Sequence, residues 1–265
     1  MVKRRLRARF GWMPLEEMRN KVVLGHTALA LRRFEDAEVR RLVATLPGGQ
    51  RPKARVATVV LTYKRPERLL LAVGSVLAQT VRDQVVIVVD DGGGLPELPA
   101  DPRLHAVSIR HNINVPGVGR NIGIRLTDSR FVAFLDDDNT WQPNHLQVAL
   151  DRLDGPETGE PRPDAVYTAM RRLLPDGSVR DVLSVPYDRK LAWERCFFDP
   201  NPFVARRIPD LHYSRLRRNK AVAPKEDWEL IYRFGRRNRV EHIPEPTVDY
   251  VVNPDSYWTP WELTS

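Results

Sequence analysis

The sequence lacks the features that mark secreted and membrane-spanning proteins. It has one cysteine, Cys196, so no disulfide can form within the chain, and a reducing cytoplasm fits this composition. The longest apolar runs, VATVVL and VVIVV, have the length of strands and fall far short of the ~20 residues that a membrane helix needs. No apolar stretch with a small-residue cleavage site follows the basic N-terminus, so we expect no secretion signal.

The sequence also has no basic stripe interleaved with aromatic residues, which argues against nucleic acid as the main ligand. Its positive charge is unevenly spread. The formal net charge is +8, and residues 1–55 hold 14 Lys or Arg against 5 Asp or Glu. This segment offers a surface for nucleic acid, for a peripheral contact with an anionic membrane at the inner face of the cell membrane, or for a partner subunit in a homodimer. The simpler alternative, which we favour, is a solvated arginine-rich face.

Apolar periodicity predicts a basic helical extension at 1–53, followed by an α/β region. Residues 15–45 have the spacing of a helix, and LPGGQRPK then breaks the pattern. Strands are predicted at 56–63, 84–94, 104–111 and 130–139, and helices at 65–79, 117–129 and 143–153. This alternation is typical of βαβ crossovers, in which a mostly parallel central sheet is flanked by helices. We therefore assign 54–160 to one half of a Rossmann-like domain.

The second half, 161–265, has a different pattern. Residues 165–185 form two β-like runs around a Pro-Asp-Gly turn, which predicts a hairpin. A loop-rich aromatic stretch follows at 193–211, then a helix at 225–237, a final strand at 240–252 and a loop-like tail. We expect a smaller β/loop region that completes the domain.

Three consecutive carboxylates follow the strand at 130–139. Asp136 and Asp138 are separated by one residue, so both can face the same space where the strand ends. Carboxylate oxygens in such a pair suit a hard divalent cation, Mg²⁺ or Mn²⁺. In parallel sheets ligands bind outside the carboxyl ends of the strands, and a second pair, Asp90 and Asp91, also follows a strand. Taken alone, such acids are equally typical of ordinary loops.

The order of these motifs resembles the family 2 glycosyltransferases of the GT-A fold. The resemblance spans residues 56 to about 256 and depends on five segments: VVLTYKRPERLLLAVGSVLAQT, VVIVVDDGGG, GVGRNIGI, FVAFLDDDNTWQPNHL and PKEDWELIYRFGRR. Each motif is loose by itself, whereas five in this order are specific. The bias of arginine over lysine is, in addition, typical of bacterial proteins from GC-rich sources.

The resemblance implies a nucleotide pocket lined by Thr62, Tyr63, Arg65, Asp90, Asp91, Arg120, Asp136 and Asp137. Asp90 would hydrogen-bond the base, and Arg120 would lie near the base or phosphates. Asp138, with Asp136, would hold the Mn²⁺ or Mg²⁺ ion that bridges the diphosphate. Asp227 would be the general base, although an acid there also suits a helix N-terminus.

The sequence departs from the family pattern at two places. Asn139 stands where an aspartate is common, and Asn253 stands where the family often has a histidine that touches the metal or phosphate. The usual arginine near that histidine is Val251. Metal affinity is therefore expected to be weaker, or another residue completes the site.

The acceptor would contact the region from about 186 to 224. The candidates for acceptor contact are Trp193, Phe203, His212, Glu226 and Trp228. Each has an ordinary alternative: the aromatics fill the core, and Glu226 is a helix N-terminal acid. The basic stretch RRIPDLHYSRLRRNK would suit an anionic hydroxyl-bearing acceptor, and a small neutral natural product is equally compatible.

The predicted function is transfer of a sugar, with inversion, from a UDP-, TDP- or GDP-sugar, UDP being the leading choice, to a hydroxyl group. A nucleotidyltransferase or nucleotide-sugar hydrolase on the same fold is one alternative, although the first strand is not followed by a glycine-rich loop with a lysine. A catalytically degenerate nucleotide-sugar-binding protein is another.

Overall fold

One long N-terminal helix precedes the α/β sheet. The computed structural model describes residues 11–155, 161–219 and 221–252. Helix α1 (Trp12–Val43) begins three residues before the predicted helix and ends two residues before its predicted end. A single 3₁₀ turn, Pro47–Gly49, occupies the predicted break before the first strand.

The remaining elements alternate as predicted in the first half of the chain. In order they are β1 (Val56–Thr62), α2 (Pro66–Leu77), β2 (Gln84–Asp90), β3 (Leu104–Ser108), α3 (Pro116–Arg125), β4 (Phe131–Asp136), β5 (Thr140–Trp141) and α4 (His145–Asp154). The second half contains β6 (Ala165–Leu173), β7 (Val179–Leu183), α5 (Leu191–Glu194), β8 (Phe203–Arg206), α6 (Glu226–Gly235) and β9 (Val240–Val251).

The strands in the described residues form one sheet, which confirms the predicted α/β fold with a mostly parallel centre. Its order is β3-β2-β1-β4-β8-β6-β9-β5, and β7 pairs with β6. Strands β3, β2, β1 and β4 are all parallel, and β6 and β9 are also parallel. Antiparallel pairing is confined to the contacts of β5, β7 and β8.

The sheet separates two sides of the core. Val56 and Val60 of β1 pack with α2 and α4 on one side. Ala57, on the same strand, packs with α1 and α3 on the other, because successive side chains of a strand point to opposite faces. An aromatic cluster around Tyr167 and Phe198, whose rings stack at 3.6 Å between centroids, continues that second side into the later part of the chain.

Helix α1 buries an unusual number of polar residues. Among its eight buried residues are Glu17, Asn20, Glu35 and Glu38. Three of these acids are paired with arginines outside the helix: Glu17 with Arg218, Glu35 with Arg125 and Arg215, and Glu38 with Arg110. Buried carboxylates need such partners, since an unpaired buried charge is strongly destabilising. The ion pairs therefore join α1 to α3 and to the segment that precedes α6.

The second half was less well predicted. The hairpin at 165–185 is confirmed, with Gly177 at a φ of 83° in its turn. The stretch 193–211, predicted as loop, contains the end of α5 and the four-residue strand β8, and the two-residue strand β5 was missed. The division at residues 53 and 160 stays a prediction. Among the described residues, no helix has both the length and the apolar character needed to cross a membrane. Asn253 and the predicted tail lie outside the described residues.

Candidate functional site

The carboxyl ends of three parallel strands meet at one edge of the sheet. The register pairs Thr62 of β1 with Asp90 of β2, and Leu61 with Asp136 of β4. The residues that follow these strands are therefore neighbours in space, although they are far apart in sequence. This brings the two predicted acid groups to the same edge.

The middle carboxylate of the acid cluster is held by β1 and the loop after it. Asp137 accepts a hydrogen bond from the hydroxyl of Thr62 at 2.7 Å and one from Arg65 at 2.9 Å. Asp137 is buried, so its charge needs these partners. Thr62 and Asp137 thus position the loop, and Arg65 contacts two carboxylates of the cluster, Asp137 and Asp138.

Asp138 carries the most exposed charge of the turn that follows Asp136. Its Oδ2 lies 3.0 Å from Arg65 and its Oδ1 accepts from the amide of Asn139 at 3.0 Å. Burial raises the pKa of Asp138 to about 6, and the negative charge of Asp136 adds to the effect while Arg65 opposes it. An additional cation at this carboxylate would therefore be stabilising.

Asn139 explains one departure from the family pattern. Its amide nitrogen donates to Asp138, and its Oδ1 accepts from the backbone N–H of Val251 at 3.0 Å. An aspartate could accept the second hydrogen bond but could not donate the first. The asparagine thereby links the acid loop to the end of β9.

Arg120 bridges the end of β4 and the start of α6. Its Nη2 donates to Asp136 Oδ1 at 2.5 Å and its Nη1 donates to Asp227 Oδ1 at 2.9 Å. Asn201 holds Asp136 from the other side, donating from Nδ2 at 3.3 Å and accepting the Asp136 N–H at 2.7 Å. The structure thus brings together the predicted base and the predicted metal and nucleotide residues.

The carboxylates around Arg120 are partly desolvated. Burial raises the pKa of Asp227, and the negative charges of Glu226 and Asp136 contribute, while Arg120 opposes the shift. Burial also raises the pKa of Asp199 to about 7, again with a contribution from Asp136. These carboxyl groups therefore bind a proton more readily than exposed ones, and a bound cation would favour their charged forms.

Asp90 and Asp91 shape the backbone beside the site. Asp90 accepts the N–H groups of Gly93 and Gly94 at 2.8 and 3.0 Å. Asp91 accepts the N–H of Ile113 at 3.0 Å and so anchors the segment before α3. The base contact predicted for Asp90 stays a prediction. Tyr63 follows β1 and is 40% exposed, which leaves its ring accessible.

The predicted acceptor residues lie in different surroundings. Trp228 is buried, donates from Nε1 to Ala192 at 2.8 Å and packs on Trp12 with ring centroids 5.2 Å apart. His212 lies beside α1, and its Nδ1 is 2.9 Å from the carbonyl oxygen of Pro209. Within the described part of the chain, His212 forms no hydrogen bond with the acid cluster. Glu226 begins α6 next to Asp227. The half-buried Trp193 lies against Gly11, and the buried Phe203 packs on Phe234.

The donor set fits a divalent cation that takes most of its ligands from a substrate. Within residues 11–155, 161–219 and 221–252, no three Asp, Glu, His or Cys side chains form a ready metal cage. Asp136 uses both carboxylate oxygens on Arg120 and Asn201. Asp138 is also bonded through both oxygens, to the exposed Arg65 and to Asn139. Mg²⁺ commonly takes one or two carboxylates together with phosphate oxygens and water, so Asp138 would hold a cation in exchange for its contact with Arg65.

Two further residues of the site could not be seen in the sequence alone. Asn201 and Asp199 come from the loop before β8, where Asp-Pro-Asn-Pro was the only local signal. Behind Arg120, Asn121 donates to Glu35 of α1 at 3.1 Å and accepts the N–H of Tyr213 at 2.7 Å. These contacts fix the helical turn that carries Arg120.

Comparison with known proteins finds relatives of the first half of the sheet. Residues 58–160 match the family model of glycosyl transferase family 2. The chain is 41% identical over 106 residues to the succinoglycan biosynthesis protein ExoW of Rhizobium meliloti. The aligned region covers 36% of this chain and 33% of ExoW. It is 36% identical over 104 residues to ExoO of the same bacterium, covering 37% of this chain and 30% of that protein. The chain thus spans about a third of the length of these relatives.

Among solved structures, the chain resembles S. aureus TarS 1–349 in complex with UDP-GlcNAc. The TM-score is 0.57 at 15% identity, covering 79% of this chain and 62% of TarS 1–349. At 15% sequence identity, this similarity supports a shared fold and no more. The relatives named are bacterial, in agreement with the composition. Residues 58–160 therefore match glycosyl transferase family 2, and the fold of the chain is of the GT-A type.

Proposed function

We propose that this chain is an inverting glycosyltransferase that uses a nucleoside-diphosphate sugar, a divalent cation and Asp227 as general base. The observation that carries the proposal is the Arg120 bridge. One guanidinium holds Asp136 at the end of β4 and Asp227 at the start of α6, with distances of 2.5 and 2.9 Å. The bridge brings the acid cluster, which would hold the cation, close to a desolvated carboxylate, which would take the proton, and a single displacement needs both parts.

The proposed reaction follows from these parts. Asp227 takes the proton of the acceptor hydroxyl as the acceptor oxygen forms a bond to the anomeric carbon. The bond from that carbon to the phosphate oxygen breaks on the opposite face, and its electron pair leaves with the diphosphate. A single displacement inverts the anomeric configuration. Burial of Asp227 raises its pKa, so the ionised carboxylate is a stronger base than an exposed aspartate.

The diphosphate would bind between Asp138 and Arg120. A divalent cation held by Asp138 would offset negative charge on the leaving diphosphate. Arg120 would add a second positive charge in a poorly solvated setting, where electrostatic stabilisation is strongest. UDP is the favoured nucleotide, because TarS, with the same fold, was solved with UDP-GlcNAc. The proposal defines the acceptor only by its chemistry, as a molecule with a hydroxyl group that reaches the carboxylate of Asp227.

Calorimetry with UDP, TDP and GDP, each with and without Mn²⁺, tests the donor half of the proposal. Binding of one nucleotide should depend on Mn²⁺ and weaken by at least about tenfold in Asp138→Asn, since the cation loses its charged ligand. Asp176→Asn, in the exposed hairpin turn, removes the same charge elsewhere and should bind like the parent. Equal binding by the Asp138→Asn variant would exclude the metal role.

Turnover of the donor tests the base. Asp227→Asn should lower transfer by about 10²–10⁴-fold while nucleotide binding stays near that of the parent. Glu226→Gln, one residue away, should retain most activity if Asp227 alone is the base. Release of nucleoside monophosphate and sugar 1-phosphate from the donor, instead of nucleoside diphosphate, would show that the enzyme is a hydrolase. Release of pyrophosphate from a nucleoside triphosphate and a sugar phosphate would show that it is a nucleotidyltransferase.

A further inference from the structure

Helix α1 exposes apolar residues where a surface helix ordinarily exposes polar ones. Val22 is 81% exposed, Met18 61% and Leu29 56%. Their spacings of four and seven residues place all three on one face, as a helix repeats every 3.6 residues. The opposite face contains the buried, ion-paired acids described above. The fold therefore accounts for the polar side of α1 and leaves its apolar side open.

The charges next to this apolar face have one sign. Residues 18–34 contain no Asp or Glu, and they include Arg19, Lys21, Arg32 and Arg33. All four are exposed. Helical geometry puts Lys21 and Arg32 on one flank of the apolar face and Arg19 and Arg33 on the other. The preceding residues 1–10 add five Lys or Arg and no acid to the sequence.

We propose that this face of α1, formed by Met18, Val22 and Leu29 with Arg19, Lys21, Arg32 and Arg33, docks on an anionic lipid surface. Apolar side chains would enter the boundary between headgroups and acyl chains, while the flanking cations meet lipid phosphates. Binding at such interfaces combines buried apolar area with attraction to anionic headgroups. The proposal concerns location and does not depend on the reaction at Asp227.

Charge argues for lipid against a second copy of the chain. Two such faces brought together would place Arg32 and Arg33 of one copy near like charges of the other, which repel. The acids nearest to the face are largely engaged within the chain: Glu16 is 3.3 Å from Arg19, and Glu17 pairs with Arg218 at 2.8 Å. An anionic bilayer supplies the opposite charge across the whole length of the face.

Flotation with vesicles tests the proposal on the full chain. The chain should bind vesicles of phosphatidylcholine mixed with phosphatidylglycerol, bind phosphatidylcholine alone much more weakly, and be released by salt, because salt screens the attraction. Arg32→Gln with Arg33→Gln removes two cations, each worth about 1 kcal/mol of attraction to anionic lipid. Since about 1.4 kcal/mol is tenfold in an equilibrium constant, the double variant should lower the partition coefficient by about 30-fold. The matched control Arg236→Gln with Arg237→Gln, exposed at the end of α6, should change it little.

A second pair of variants tests the apolar contribution. Val22→Gln with Leu29→Gln should lower binding by at least about tenfold, since each loses apolar area that would leave water. Leu70→Gln with Leu71→Gln, exposed on α2, serves as the control. The proposal is overturned if the parent does not bind anionic vesicles, or if the control variants lose as much as the α1 variants. A dimer in solution that Val22→Gln with Leu29→Gln converts to monomer would assign the face to a second copy.

Discussion

Arg120 and Asp227, 107 residues apart in the chain, are joined by a hydrogen bond of 2.9 Å. The arginine also reaches Asp136 with its other terminal nitrogen, so one planar group fixes two carboxylates from different elements. This geometry needs a guanidinium, because a lysine ammonium is a single point charge on a flexible stem. The bridge is the feature from which the proposed chemistry follows.

We therefore expect Arg120→Lys to lower kcat by about 10²–10³-fold, the usual effect of losing one fixed donor at an active site. The folded state should persist, since the charge is retained. Steady-state kinetics and far-UV circular dichroism measure the two effects. Arg130→Lys, an exposed residue paired with Asp154, is the matched control. A variant with parental kcat would show that the bridge is only structural.

Two neighbouring acids in α1 should differ sharply in their effects on stability. Glu35 is fully buried and accepts from Arg125, Arg215 and Asn121, whereas the side chain of Asp36 is 37% exposed and accepts from Arg125. Glu35→Gln removes the buried counter-charge of Arg215 and one of the two counter-charges of Arg125, so it should lower the free energy of unfolding by about 2–3 kcal/mol. Asp36→Asn should cost less than about 1 kcal/mol.

Urea unfolding of both variants measures this difference. Similar unfolding midpoints would mean that Glu35 does not hold α1 to the rest of the domain. If Glu35→Gln also lowers transfer while Asp36→Asn does not, the network from Glu35 through Asn121 contributes to positioning Arg120.

Gly123 is predicted to be necessary for the close approach of α3 to β1. A Cβ atom there would lie 2.4 Å from Cγ1 of Val59, a rigid branched side chain on a central strand. Gly123→Ala should therefore lower the free energy of unfolding by about 1–3 kcal/mol. Gly25→Ala in α1, where a Cβ has nothing within 4 Å, should instead raise it by about 0.5–1 kcal/mol, because alanine favours the helix.

Thermal or urea unfolding distinguishes these opposite signs. Loss of stability in Gly25→Ala would contradict the open surroundings of Gly25 in α1, and no loss in Gly123→Ala would contradict the close packing of α3 on β1.

Much of the first half of the chain was predictable, because its signals are local. The runs that form β1, β2 and β4 are mostly apolar, as in strands covered on both faces. The acids at the ends of β2 and β4 mark the edge where parallel sheets bind ligands. Pro66 and Pro116 begin α2 and α3 in agreement with the preference of proline for a first turn.

The rest depends on contacts between distant residues. Asn201 belongs to the site because β8 pairs with β4, and nothing in Asp-Pro-Asn-Pro specifies that pairing. The two residues of β5 are a strand only through their partners in β9. Likewise, the sequence around Glu35 is that of an exposed charged helix. Its buried position follows only from the fold, in which Arg125 and Arg215 contact it.

The pKa of Asp199 predicts a pH-dependent effect on stability. Folding raises this pKa from near 4 to about 7, so between these values the folded state holds the proton more tightly and the contribution to stability falls as pH rises. Asp199→Asn removes the titration and keeps an oxygen that accepts the Asn201 N–H. At about pH 8 the variant should be more stable than the parent by about 1–2 kcal/mol, and near pH 4 the difference should vanish.

Urea unfolding at both pH values measures the change, with the exposed Asp83→Asn as a control. A variant that is less stable than the parent at the higher pH would mean that the Asp199 carboxylate is stabilised by its surroundings.

The link through Asn139 makes the last strand a reporter of the acid loop. Its amide group donates to Asp138 and accepts the N–H of Val251. A cation that draws Asp138 away would strain both hydrogen bonds, and the amide proton of Val251 would then exchange with deuterium at a different rate. An aspartate at residue 139 could not donate a hydrogen bond to Asp138. The exchange rate of the Val251 amide proton would then no longer report ligand binding at Asp138.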